Sequence, residues 1–204
     1  MHFTIHDTLG IIHLIRGLSW LILKLTGWKV INVAPATGSY LIIAAPHTSN
    51  WDFPLGITMA FHLQLRVYFI GKHTLFKGPM GPFMRWLGGI PLDRKASQNF
   101  VEGSIETFNN NPNLVMAIAP EGTRSTVPRW KTGFYHMAKG AKVPIALAYF
   151  DFSTKIGGIG KMLNTTDDMD VDMQTIADFY RTKIGKVPAN YNPDITGATL
   201  NSKP

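Results

Sequence analysis

His47 and Asp52 stand five positions apart in Pro46-His47-Thr48-Ser49-Asn50-Trp51-Asp52. An imidazole can take up and return a proton near neutral pH. A carboxylate that accepts a hydrogen bond from one ring nitrogen fixes the tautomer and leaves the other nitrogen as a base. In a continuous helix, a spacing of five turns the two side chains about 140° apart, so they would not meet. They meet only when His47 lies in a turn and Asp52 in the first turn of a helix. Ser49, Asn50 and Pro54 supply those turn and first-turn signals. A loop histidine beside an unrelated helix cap shares this spacing, so the pair alone is a weak signal.

Anion-binding chemistry is concentrated elsewhere. In Ala119-Pro120-Glu121-Gly122-Thr123-Arg124-Ser125, Gly122 lets backbone N–H groups approach an anion. Arg124 offers a planar fork to a phosphate, and Thr123 and Ser125 add hydroxyls. Lys131 and Gly133 follow, just before a predicted helix, where a cation and a helix N-terminus favour an anion. Gly88-Gly89-Ile90-Pro91-Leu92-Asp93-Arg94 ends on another cation, and Lys72 closes the run Val67–Ile70 in a similar way. Asp93 and Arg94 are neighbours in an extended chain and point opposite ways, so they have separate roles.

The elements that must position these groups alternate. Apolar runs at Trp28–Val33, Tyr40–Ala45, Arg66–Ile70, Ile90–Leu92, Leu114–Ala119 and Val143–Phe150 read as strands. Phe53–Leu65, Pro79–Leu87, Ser97–Asn109 and Thr132–Gly140 read as helices between them. The alternation predicts an α/β domain with a mostly parallel central sheet flanked by helices. Each chemical segment then follows a strand, where such sheets bind ligands.

Gly157-Gly158-Ile159-Gly160 reads as a flexible turn, because no strand precedes it and no helix follows as a phosphate loop requires. Asp167, Asp168, Asp170 and Asp172 lack the glycine and closing Glu of a calcium loop. They read as a solvated loop into a helix over Met173–Lys183, with acids near its N-terminus. Pro188–Pro204 reads as a polar surface tail.

Length and composition set the frame. A chain of 204 residues suffices for one domain with a real core. At 45% hydrophobic it is not disordered, and with no Cys it has no disulfide, zinc-thiolate site or thiol nucleophile. Only 16% of residues are charged, yet the net charge is +7. A deficit of acids points to a small anionic ligand, an anionic membrane surface, or both, rather than to nucleic acid. Leu9–Leu25 is too short to span a bilayer and carries Arg16 near its centre. As a helix it places Ile11, Ile15, Leu18, Ile22 and Leu25 on one stripe and His13, Arg16, Trp20 and Lys24 on another. It reads as a helix lying in a membrane surface, so residues 1–28 form an N-terminal amphipathic unit and 29–204 the main domain. Met1–Asp7 has no basic stretch and no small-residue cleavage site follows the apolar run, which argues against a secretory signal.

Taken in order, the strand-end segments resemble the glycerolipid acyltransferase family, typified by bacterial 1-acylglycerol-3-phosphate acyltransferase. His47 to Asp52, Gly89 to Arg94, Glu121 to Ser125 with Lys131 and Gly133, and Val143 to Ile145 match its four motifs. The resemblance covers about residues 40–150. It implies transfer of a fatty acyl group from acyl-CoA or acyl-carrier protein to a lysophospholipid hydroxyl. No further cofactor is implied. His47 would be the general base and Asp52 its orienting partner. Arg94, Glu121, Gly122, Thr123 and Arg124 would bind the acceptor, and Lys72 and Lys131 would assist. Backbone N–H groups around Gly122 would hold the oxyanion. An apolar tunnel lined from Leu55–Leu65 and Phe76–Leu87 would take the acyl chain, and the enzyme would sit on the cytoplasmic face of a membrane as a monotopic or peripheral protein. Pro46 and Ala119 depart from the commoner family residues, Asn and Phe. They leave the acceptor open between lysophosphatidic acid and another lysolipid, such as lyso-ornithine lipid. Two rivals remain at this stage. One is a non-catalytic lipid-binding tether, against which the paired His47 and Asp52 argue. The other is a phosphate-ester hydrolase, for which no clustered metal ligands or nucleophile are seen.

Overall fold

Tyr40–Ala45 is the most uninterrupted apolar run near the reactive segments, and it becomes the middle strand of the sheet. The computed structural model describes residues 2–8, 10–92 and 97–196. In chain order, α1 spans Ile11–Thr26, β1 Lys29–Asn32, β2 Tyr40–Ala45, α2 Asp52–His62, β3 Val67–Lys72 and α3 Met80–Trp86. Then follow β4 Gly89–Leu92, α4 Ser97–Asn110, β5 Val115–Ile118, α5 Gly133–Ala141, β6 Ile145–Asp151, β7 Ile156–Leu163 and α6 Met169–Tyr180. The sheet order is β1-β7-β6-β2-β5-β3-β4, and every neighbouring pair is parallel except β6 with β7. This is the mostly parallel α/β sheet that the alternation predicts.

Side chains alternate between the faces of β2. Leu41, Ile43 and Ala45 point into the larger core, with Phe108 of α4, Phe134 and Ala138 of α5, and Ile176 of α6. Ile42 and Ala44 point the other way, where α2 lies with α1 and α3 around it. The faces are covered by different chemistry. The first holds large interlocking side chains, and the second holds many small ones. The α6 hydroxyl of Tyr180 reaches through the first core to the carbonyls of Ile43 and Ala148, at 2.8 and 2.9 Å. It satisfies backbone at a β-bulge between Leu147 and Ala148.

α1 begins at Ile11 and closes on Gly27, whose φ of 76° gives a left-handed cap. Its buried positions are Ile12, Ser19 and Leu23, and Ile11, Leu18, Ile22 and Leu25 of the predicted stripe face outward. Among the described residues no helix is long and apolar enough to cross a membrane.

Three sequence expectations need correction. Gly157, Gly158 and Gly160 lie inside β7, not in a turn. They read as flexible, but each glycine is there for room. A Cβ at Gly158 (φ 117°) would collide with the Ile31 carbonyl of β1, and one at Gly160 would press on Phe179 and Tyr149. The helix expected from Met173 starts at Met169, because Asp168 caps it by accepting the N–H groups of Asp170 and Val171. Asp172 in that cluster is buried and accepts from the Tyr135 hydroxyl at 2.9 Å and the Thr166 amide at 2.6 Å. Finally, residues 188–196 of the expected tail pack onto the domain, with Ile195 buried against Trp130.

Candidate active site

β2 and β5 are parallel neighbours, so the segments that follow them emerge side by side at one sheet edge. After a cis Ala45–Pro46 peptide the first segment turns sharply and enters α2 at Asp52. Asp52 is 1% exposed, and its Oδ2 accepts the amides of Thr48 and Ser49, each at 2.7 Å. Those two bonds fold the loop back on the helix start and place His47 Nδ1 3.4 Å from the same oxygen. Nε2 is thereby left for the cleft, which His47 lines with its side chain 19% exposed. The geometry is the turn-then-first-turn arrangement that the spacing required.

Glu121 stands behind the pair. Its Oε1 accepts the backbone N–H of His47 at 2.8 Å, and its Oε2 is buried with no partner among the described residues. Burial is the main cause that pushes its carboxyl up to about 8, and the nearby Asp52 charge adds to the rise. Glu121 is therefore neutral at pH 7 when folded and ionised when unfolded. The folded state binds the extra proton between about pH 4.5 and 8, so this contribution to stability is complete below the unfolded value and is lost as pH rises through that window. Each unit costs up to about 1.4 kcal/mol. Glu121→Gln keeps the acceptor for His47 and removes the titration. Thermal unfolding from pH 5 to 8 should give a flatter Tm profile for the variant. Parallel profiles would show that the carboxyl is ionised throughout.

The cleft that His47 lines has a volume of about 1710 Å³, and its lining includes an apolar set and a cationic set of side chains, the apolar and the cationic arm. The apolar arm is lined from α2 and the sheet, where Ala44, Ala60, Ala117 and Ala148 keep it open by their small size. The cationic arm is lined by Lys72, Arg124, Arg129 and Lys131, with His136. Residues 29–149, from β1 into β6, match the model of a family described as acyltransferase. The chain belongs to the acyltransferase family. No curated protein and no solved structure matched it. The spacing and pairing of His47 and Asp52 fit the His-x4-Asp motif of such enzymes, and an acyltransferase implies an acyl donor and an acceptor as substrates.

The remaining expected site residues of this acyltransferase separate into three groups. Lys72, Gly122, Thr123, Arg124 and Lys131 line the cleft, and none of the three cations has a carboxylate partner among the described residues. Gly122 shapes the turn at φ 67°, with the aliphatic end of Lys131 lying 3.6 Å from where its Cβ would stand. Its N–H donates to the Ala119 carbonyl at 3.1 Å, whereas the amides of Thr123 and Arg124 are not spent within that turn. Glu121 does not line the cleft. Arg94 lies outside the described residues.

Sequence reasoning missed Arg129, which joins the cationic arm two residues before Lys131. Its signal was present as the second cation in Arg129-Trp130-Lys131, a segment anchored by the buried Trp130. It also missed the strap formed by residues 184–196, which lies beyond the family match. Thr48 Oγ1 accepts the Val187 amide and Thr48 O accepts from Asn190, both at 3.2 Å. The same strap receives the Thr126 hydroxyl on Ala189 O and the Trp130 amide on Ile195 O. It thus ties the His47 loop to the Arg124 loop.

Proposed function

We propose that this acyltransferase moves a fatty acyl group from the thioester of acyl-CoA or acyl-carrier protein to the hydroxyl of a lysophospholipid, with 1-acylglycerol-3-phosphate as the preferred acceptor. The observation that carries this reading is that His47 lines one cleft together with a set of small apolar side chains and a set of cations. A fatty acyl chain matches the first arm and a phosphate monoester the second.

His47 Nε2 takes the proton of the acceptor hydroxyl as that oxygen attacks the thioester carbonyl. Asp52 holds the Nδ1 proton and stabilises the imidazolium. The tetrahedral oxyanion needs donors, and the Thr123 and Arg124 amides at the β5 end are suited to it, at roughly 3–4 kcal/mol per donor. Collapse expels the thiolate, which recovers the proton from His47. No acyl-enzyme forms, which agrees with a chain that has no Cys. α1 rests in the cytoplasmic leaflet, with Leu14 (76% exposed), Leu18 and Leu25 buried in lipid and Lys24, seated over the Trp20 ring at 4.8 Å, at the headgroups.

The test is a product assay. Purified protein is incubated with acyl-CoA or acyl-carrier protein and, separately, with 1-acylglycerol-3-phosphate, lysophosphatidylcholine or a lyso-ornithine lipid. Mass spectrometry should show phosphatidic acid as the main product. Faster acylation of the ornithine lipid would reassign the acceptor, and vesicle binding without any product would leave a lipid tether.

A further inference from the structure

The cationic excess is not spread over the chain. Residues 1–92 hold seven Lys and Arg but only two acids, Asp7 and Asp52. Neither acid offsets the surface. Asp7 pairs with Arg66 at 2.6 Å, and Asp52 is buried under His47. The exposed apolar side chains follow the same division. Of the seventeen large hydrophobics exposed among the described residues, fourteen fall before residue 93. The helices of this stretch, α1, α2 and α3, cover one face of the sheet, and α4, α5 and α6 cover the other.

Within that layer α1 is not alone. The corner from the 3₁₀ turn His73–Phe76 through α3 exposes Leu75, Met80 and Phe83, the last at 45%. Lys77 and Arg85 flank them and have no carboxylate partner among the described residues. The corner is joined to the start of α1. Trp86 Nε1 donates to Thr8 Oγ1 at 3.1 Å, a ring nitrogen of His2 lies 2.7 Å from Arg85 O, and Ile12, Ile15, Trp86 and Leu87 pack around Phe61. Leu75 and Met84 of the corner also line the cleft.

We propose that the α3 corner is a second membrane contact, so that an anionic bilayer is held by α1 and α3 together rather than by α1 alone. Exposed apolar tips with adjacent unpaired cations, on a face nearly free of acids, complement a headgroup region of negative potential. Two separated contacts fix the tilt of the domain as well as its attachment, and the second lies at the cleft, where a lipid acceptor enters. This inference rests on the reading of α1 as a membrane-surface helix and adds a separate surface to it.

The absence of Cys makes the test direct. Leu18→Cys on α1, Phe83→Cys on α3 and Val171→Cys on α6, the opposite layer, are each labelled with an environment-sensitive fluorophore. They are mixed with phosphatidylcholine vesicles with or without phosphatidylglycerol. The labels at 18 and 83 should shift to the blue and be quenched by brominated lipid, and the label at 171 should do neither. In the unlabelled protein, Lys77→Ala with Arg85→Ala should weaken partition to the anionic vesicles about 30-fold, at ~1 kcal/mol for each cation. If label 18 enters lipid and label 83 stays in water, the second contact is wrong and the α1 reading stands. If neither enters, both are wrong. A blue shift at 83 that follows protein concentration without vesicles would assign the corner to a second copy of the chain and also overturn the proposal.

Discussion

His47→Ala should lower the rate of acyl transfer 10²- to 10⁴-fold, the range that a positioned general base contributes, and should leave the fold intact. The imidazole lines the cleft, belongs to none of the buried apolar clusters of the described residues, and has its polar contact with Asp52. Its backbone N–H, which Glu121 accepts, survives the substitution. Asp52 behaves differently. Its Oδ2 serves the Thr48 and Ser49 amides as well as His47, so Asp52→Ala strands two N–H donors in a buried loop. Each stranded donor costs about 1–3 kcal/mol. Initial rates with labelled acyl donor, read beside thermal unfolding, separate the two cases. His47→Ala should lose activity at nearly unchanged Tm, and Asp52→Ala should lose both. Transfer within a few-fold of the parent in His47→Ala would mean that another group takes the proton.

Ala60→Leu should shorten the acyl chain that the enzyme accepts. Ala60 lines the apolar arm from α2, opposite Ala44 and Ala117, and the methyl groups leave that arm open. Leucine is a strong helix former, so α2 keeps its propensity while three carbons enter the arm. A bound chain that forfeits about four methylenes of contact loses roughly 3 kcal/mol at ~0.8 kcal/mol each. That corresponds to a fall of about two orders of magnitude in kcat/KM for long donors, with short donors little affected. A series of acyl-CoA lengths gives the profile directly. A uniform fall at every length would mean that the chain lies elsewhere.

How far these sites could be read from sequence depends on how local their causes are. The His47–Asp52 pair was legible because turn residues, helix start and partner all fall within seven consecutive positions. The sheet was legible because β2, and β6 up to its terminal Asp151, are near-continuous hydrophobic runs, as strands buried on both faces are. Glu121 entered the expected acceptor-binding set through the family resemblance, and only the pairing of β2 with β5 puts the His47 amide beside it. Gly157 and Gly158 looked like a flexible turn because local propensity cannot register the backbone of β1 or Met59 of α2 pressing on them. The apolar arm is made of absences, alanines on three different strands and α2, which no window of sequence gathers.

The strap over residues 184–196 has a consequence for the order in which the chain is made. Val187 meets Thr48 across 139 positions. At the usual ribosomal speed of 5–20 residues per second, roughly 7–28 s separate the synthesis of the two. The cationic, apolar stretch from α1 to α3 is made long before the segment that braces the catalytic loops has left the ribosome. On the membrane reading proposed above, a growing chain settles on lipid while its reactive loops are still unbraced. Assembly of the competent site then follows attachment, and on the same proposed reading it takes place where the lipid acceptor already is.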